Sequence, residues 1–341
     1  MKVNSFPNRI LKVDKERYLY FGGTAYLGLP TNKKFKKILI NNIFQWGTAY
    51  GSSRSANIEL TAYENGEKFL AEFIKSEATI TVTSGMLAGK ITTDVLQSQT
   101  DQFFHYPNIH TAIKSTNSIP FFVQNEMNPR LLDNIKERIT ILTDAVPSFN
   151  TEPINLSFLN FISANKEITL VIDESHSLGI LGTNGCGIFT SIEYPNVKRK
   201  IMLSSLGKAF GLTGGVIASD AEFIQQIRTN DSFVSSAGMN PAFVQTIADA
   251  EKIYIKQHQK LKDNLAYLKN NLKENEAFKF NGDYPLIYLE NDAINPILEK
   301  NKIIVANFKY ASGIKDLNRI VITANHKKKD LDKIIGVLNQ F

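Results

Sequence analysis

Residues 171–187 read VIDESHSLGILGTNGCG. A short apolar run ends in Asp173, and His176 follows three residues later. That is the pattern of a strand buried on both faces, as in parallel sheets. Open α/β sheets bind ligands at the carboxyl ends of their strands. A carboxylate there can hold a positive ring nitrogen, and an imidazole beside it can orient a ring substituent. Taken alone, Asp173 also fits a turn cap and His176 an ordinary surface histidine.

Six more runs of this kind flank the segment, at 79–83, 102–105, 120–123, 139–143, 200–204 and 215–218. Helical spacing of apolar residues lies between several of them, at 60–74, 86–96, 131–138 and 156–164. Strands alternating with helices predict an α/β domain with a mainly parallel, seven-stranded sheet. After about residue 240 the pattern changes. Residues 241–274 predict one or two long helices, 286–289, 303–307 and 319–323 predict strands, and 326–338 predicts a closing helix. The domain expectation is an N-terminal segment over 1–30, a large domain over 31–245 and a small α+β domain over 246–341.

Composition narrows the class. The 341 residues are 43% hydrophobic and 21% charged, as in an ordinary globular protein. The net charge of +6 is scattered, and its tightest run, Lys327-Lys328-Lys329, reads as a solvated helix face. Nucleic acid is therefore not expected as a partner. A single cysteine, Cys186, excludes an internal disulfide or a cysteine-rich metal site. The five histidines show no metal-ligand spacing, so no metal is expected. Pro7 and several charges interrupt the first residues before any signal-peptide core, and no apolar run reaches membrane-spanning length. The expected setting is the cytoplasm, without a membrane partner.

Two further segments carry chemistry. SSLGKAFGLTGG, residues 204–215, places Lys208 between Gly207 and Ala209. Small neighbours let a flat ligand approach the amine, and a desolvated lysine is a Schiff-base nucleophile. A surface lysine in a glycine-rich loop has the same local look. The 35 residues from Asp173 to Lys208 allow one crossover, which would put both at the same sheet edge. TVTSGMLAGK, residues 81–90, turns from a strand straight into a helix, whose first N–H groups make a phosphate site. A phosphate cradle, a ring-nitrogen partner and an imine-forming lysine are the parts a pyridoxal-phosphate enzyme needs. No P-loop is present, and GLTGG at 211–215 does not match G-x-G-x-x-G.

Several motifs then recur in order. They are YLGL at 26–29, TSGMLAG at 83–89, HYPNIHTAI at 105–113, TDAVPSFNTEPINL at 143–156, the Asp173 segment, SSLGKAFG at 204–211, VSSAGMNPA at 234–242 and RIVITANH at 319–326. Together they resemble the α-oxoamine synthases, pyridoxal-phosphate enzymes of the 8-amino-7-oxononanoate synthase type with the aspartate-aminotransferase fold (fold type I). The resemblance implies pyridoxal 5'-phosphate bound through Lys208, with its ring nitrogen on Asp173 and its ring stacked by His110. It assigns Ser84, Gly85, Met86 and Ser205 to the phosphate, and Ser148 and His176 to the phenolic oxygen. Asp144 takes an acidic position near the site. Ser236 would reach the phosphate of a neighbouring subunit, and Arg319 would bind the amino-acid carboxylate. Thr24, Ile58 and Tyr63 stand where the family has other residues, the last where it has histidine.

The implied activity is condensation of an amino acid with an acyl-CoA or other acyl thioester. An aminotransferase on the same scaffold is the alternative, and a cofactor-binding protein without turnover is a third reading. A homodimer with shared sites is implied, and the aromatic stretch Phe44, Trp46 and Tyr50 suits an interface.

Overall fold

In the computed structural model of the chain, residues 2–309 and 317–341 are described. They form two compact units, one of Met1–Asn32, Phe149–Glu152 and Lys252–Phe341, the other of Lys33–Ser148 and Pro153–Glu251.

The chain opens with a hairpin, β1 (Ile10–Val13) and β2 (Glu16–Phe21). Its two turn residues, Asp14 and Lys15, both have positive φ, as a two-residue hairpin requires. The larger unit begins with α1 (Lys33–Trp46), α2 (Thr61–Ile74), β3 (Ala78–Val82) and α3 (Gly85–Leu96). Next come β4 (Gln102–His105), β5 (Ser118–Pro120), the small hairpin β6 (Phe122–Val123) and β7 (Glu126–Met127), and the single turn α4 (Pro129–Leu132). Then follow β8 (Glu137–Asp144), β9 (Lys166–Asp173), β10 (Val197–Ser205), β11 (Gly215–Ser219), α5 (Ala221–Thr229), α6 (Asp231–Ser235) and α7 (Pro241–Asp249). The smaller unit resumes along α8 (Glu251–Asn271) with β12 (Phe278–Lys279), β13 (Leu286–Leu289), α9 (Ile294–Lys300), β14 (Ile303–Phe308), β15 (Leu317–Val321) and α10 (Lys328–Leu338).

Seven strands of the larger unit form one sheet in the order β3-β11-β10-β9-β8-β4-β5. From β10 to β5 every neighbour is parallel, and β11 runs against both β10 and β3. The α/β expectation and its seven strands therefore hold. The core packs Val171 of β9 and Ile201 and Leu203 of β10 with Ile91 of α3 and Phe223 of α5. Each such fully buried side chain stabilises the fold by about 2 kcal/mol. Register brings three strands to a common level: Asp173 of β9 stands opposite Asp144 of β8 and Leu203 of β10. That level is the carboxyl edge.

Several local expectations fail. Residues 131–138 do not form a helix: α4 is one turn, and Glu137 and Arg138 already belong to β8. Arg130 and Lys166 both grip Glu137, which fixes it at the strand's start. The run 120–123 splits, because Pro120 ends β5 and Phe122 starts a separate hairpin. Residues 156–161 form a 3₁₀ helix rather than an α-helix. Between β9 and β10 the crossover holds only 3₁₀ turns, at Thr183–Gly185 and Phe189–Ser191. The N-terminal hairpin has no counterpart in the sequence reading. It joins the C-terminal strands in a six-stranded sheet, β1-β2-β14-β15-β13-β12.

Candidate active site

The carboxyl edge of the large sheet assembles the site. Asp173 ends β9, and its Oδ1 accepts the Ser175 N–H at 2.8 Å. The Ser205 N–H at the end of β10 donates to Ser175 Oγ at 2.7 Å, which ties the two strand ends together. Beyond β10, Lys208 Nζ lies 2.9 Å from His176 Nε2. His176 and Lys208 thus meet beyond the ends of two adjacent strands, and the charges of Lys208 and Asp173 both act on His110 and Asp144.

β8 supplies the next layer. Asp144 is buried, and its carboxyl accepts the backbone N–H of His110 at 3.0 Å. Burial, and then the neighbouring Asp173 carboxylate, push Asp144 well above the usual carboxylate range; the His110 amide and the Lys208 charge act against this. Two acids at adjacent strand ends do not both ionise cheaply, which is the second cause of the rise. His110 Nδ1 accepts the Ala112 N–H at 3.1 Å. A neutral His110 therefore carries its proton on Nε2. Burial pushes the His110 pKa down; the Asp173 charge opposes this and the Lys208 charge adds to it. Ser148, five residues after Thr143, is also buried.

β3 leads into the turn that the resemblance assigns to the phosphate. Ser84 caps α3, with its Oγ accepting the Leu87 N–H at 3.1 Å. A cap of this kind contributes about 1 kcal/mol. It leaves the first N–H groups of α3, around Gly85 and Met86, without helical partners. A Cβ on Gly85 would come within 3.0 Å of the Ser205 Cβ, so the helix start lies directly against the end of β10. The cradle at 84–86 and Ser205 is therefore one place, shaped by a glycine. An anion-binding helix end, a lysine amine, a carboxylate and a neutral imidazole on one strand edge fit pyridoxal 5'-phosphate.

Two assigned residues lie elsewhere in the chain. Ser236 caps the end of α6, and its hydroxyl donates to the Phe233 carbonyl at 3.2 Å. Arg319 is buried on β15 of the smaller unit, 3.5 Å from Tyr288 Oη. Its Nε has no hydrogen-bond partner among the described residues. A buried unsatisfied donor on a guanidinium suits a carboxylate.

The sequence reading missed two groups. Glu67 of α2 is buried and holds Arg54 through two bonds, at 2.5 and 3.1 Å, together with Arg228 at 3.1 Å and the Thr81 N–H at 2.7 Å. Arg54 stacks 4.0 Å over the Tyr63 ring, and Tyr63 donates its hydroxyl to the Met239 carbonyl at 2.7 Å. The tyrosine found in place of histidine thus tethers the stretch that carries Ser236. Glu174, directly after Asp173, is the second group: it is fully buried, and glycines recur after it. A charged residue inside an apolar strand–turn segment was the available signal.

The family profile for aminotransferase class I and II matches residues 151–338. An 8-amino-7-oxononanoate synthase from Petrotoga mobilis is 27% identical over 94% of this chain and 88% of its own length. A serine palmitoyltransferase from Sphingobacterium spiritivorum is 24% identical over 80% of this chain and 71% of its own. Among solved structures, a serine palmitoyltransferase from S. paucimobilis superposes with a TM-score of 0.80 at 17% identity, covering 97% of this chain and 89% of that one. The 8-amino-7-oxononanoate synthase of Francisella tularensis gives 0.71 at 22% identity, covering 95% and 97%. These two share the fold. Motif order, strand-edge geometry and the family match agree: the chain belongs to the class I and II aminotransferase family, in its pyridoxal-phosphate-dependent α-oxoamine synthase branch.

Proposed function

We propose that the protein condenses an amino acid with an acyl thioester, the activity that its resemblance to the α-oxoamine synthases implies. The observation that carries this reading is the Lys208–His176 contact beside Asp173, at the edge where the family binds its cofactor. When bound there, pyridoxal phosphate supplies an electron sink for the bond broken at the amino-acid Cα.

The chain's own groups do the rest. Lys208 would carry the cofactor and, as the free amine, would take the Cα proton at its Nζ, with His176 Nε2 at 2.9 Å as a second seat for it. Asp173 keeps a negative charge beside the ring nitrogen. Asp144, its pKa raised by burial and by Asp173, holds the His110 backbone N–H. His110 would cover the ring face, and Ser148 and His176 would face the phenolic oxygen. Ser84, Gly85, Met86 and Ser205 would hold the phosphate. Arg319 grips the substrate carboxylate with its buried guanidinium.

The reading is tested with cofactor-loaded protein given alanine, glycine or serine and a series of acyl-CoAs. Release of free CoA thiol that requires both substrates is expected. No release with any pair overturns the proposal. The family match also keeps transamination in view. An aminotransferase would instead turn the amino acid into its 2-oxo acid with no thioester present.

We also place the protein in the cytoplasm as a homodimer with shared sites. No helix among the described residues is long and apolar enough to cross a membrane. On α1, Phe44 is 86% and Ile40 51% exposed, one helical turn apart. An apolar pair left in water on a helix face supports contact with a second copy. Sedimentation is expected to give twice the chain mass, and Phe44→Asp to give the monomer. Mixing Lys208→Ala with Ser236→Ala chains should restore one sound site per hybrid. No recovery in proven hybrids would remove Ser236 from the partner's site.

A further inference from the structure

Glu174 follows Asp173, yet its side chain turns into the protein and is fully buried. Its Oε2 accepts the Ser177 hydroxyl at 2.6 Å and the Ile188 N–H at 2.8 Å. These donors lie on the two ends of the turn that follows β9. Gly187 lies at φ +85°, and a Cβ there would come within 2.1 Å of the same oxygen. The turn is therefore wrapped so closely on this carboxyl that only a glycine fits. The main chain of Glu174 is held as well: its N–H donates to the Leu203 carbonyl of β10 at 2.7 Å, and its carbonyl accepts the Leu178 N–H at 2.8 Å.

His176 sits inside this wrap, between Glu174 and Ser177, with its ring on Lys208. The segment has no α-helix to stiffen it, only 3₁₀ turns. The buried carboxyl takes the place of one. Burial pushes that carboxyl up to about 7, and the Ser177 hydroxyl and the Ile188 and Phe189 amides act against the shift. Its Oε1 has no hydrogen-bond partner among the described residues. Keeping such a group in the interior is costly, which points to a task beyond filling space.

We propose that Glu174 is a positioning residue whose Oε2 gathers the 177–188 turn at one buried point and so sets His176 against the Lys208 amine. The inference rests on Lys208 as the reacting amine of the proposed function. It concerns reach and geometry, not charge. Gln offers the same accepting oxygen at the same reach, whereas Asp withdraws it by one methylene.

The test uses the full chain freed of bound aldehyde and follows acylation of Lys208 against pH by peptide mass spectrometry. Glu174→Asp and Glu174→Ala are expected to change the Lys208 rate about fivefold or more, in the direction that His176→Ala changes it. Glu174→Gln should stay within about twofold of the parent. In a His176→Ala background the Glu174 substitutions should add nothing further. If Glu174→Ala does not fold, Ser177→Ala, which removes one donor to Oε2, carries the same expectation. Loss of thermal stability with an unchanged Lys208 rate overturns the proposal. So does an undiminished effect in the His176→Ala background, or a Gln variant that behaves like Ala. The readout is the amine itself, so it does not depend on turnover; whether Lys208 holds the cofactor is decided separately by reductive trapping.

Discussion

Lys208→Ala is expected to lose borohydride-dependent fixation of pyridoxal phosphate to the protein altogether. Turnover should fall by about a thousandfold, since in the proposed function the same amine also serves as the base. The change leaves Ser84, Gly85, Met86 and Ser205, the proposed phosphate ligands, untouched. The variant should therefore still retain cofactor non-covalently through gel filtration. Trapping followed by peptide mapping checks this. Cofactor still fixed covalently in Lys208→Ala would show that another lysine carries it.

Asp173→Asn carries the second large effect. The amide keeps the size of the side chain and can still accept the Ser175 N–H through its oxygen. What disappears is the carboxylate that the proposed function sets beside the ring nitrogen. Cofactor binding should change little, while exchange of the amino-acid Cα proton with solvent falls about 100-fold or more. Asp144 makes the variant informative in a second way. Part of what raises its pKa is the Asp173 charge, and the rest is burial. With the neighbour neutral, Asp144 ionises at lower pH than before, so residual exchange should climb as pH is raised. Parent-like exchange in Asp173→Asn would remove Asp173 from the role.

Much of this arrangement is legible in the chain. Runs such as QFFH and LIYL, unbroken and apolar, become β4 and β13 with the expected bounds. Ser84 before a helical run marks the α3 cap, and Lys208 after a strand lands on the edge where Asp173 ends. Other features escape a local reading for physical reasons. In β1 and β2 the exposed Lys12, Glu16 and Arg17 interrupt the apolar residues and hide the period, and most of the others are only half-buried. Leu131 and Leu132 have helical spacing toward Ile135, but Asp133 ends the turn and its carboxylate caps the Ile135 N–H. The Asp144–Asp173 pairing is a matter of strand register across 29 positions, which no periodicity encodes. Glu174 and Glu67 hold backbone and arginine groups brought from distant segments, so their partners appear only with the fold.

The smaller sheet also sets an order of events at the ribosome. β2 pairs in parallel with β14, Leu19 opposite Ile303, so the first strands made wait for nearly the last. The pairs of the large sheet all close within residues 78–219. That unit can fold while the nascent chain is still tethered, and β2 meanwhile presents an unpaired edge. Long-range closure of this kind is slow and exposes strands to wrong partners. Synthesis halted before residue 303 leaves a shaped cofactor domain trailing an unfinished sheet, a natural substrate for chaperones and proteases.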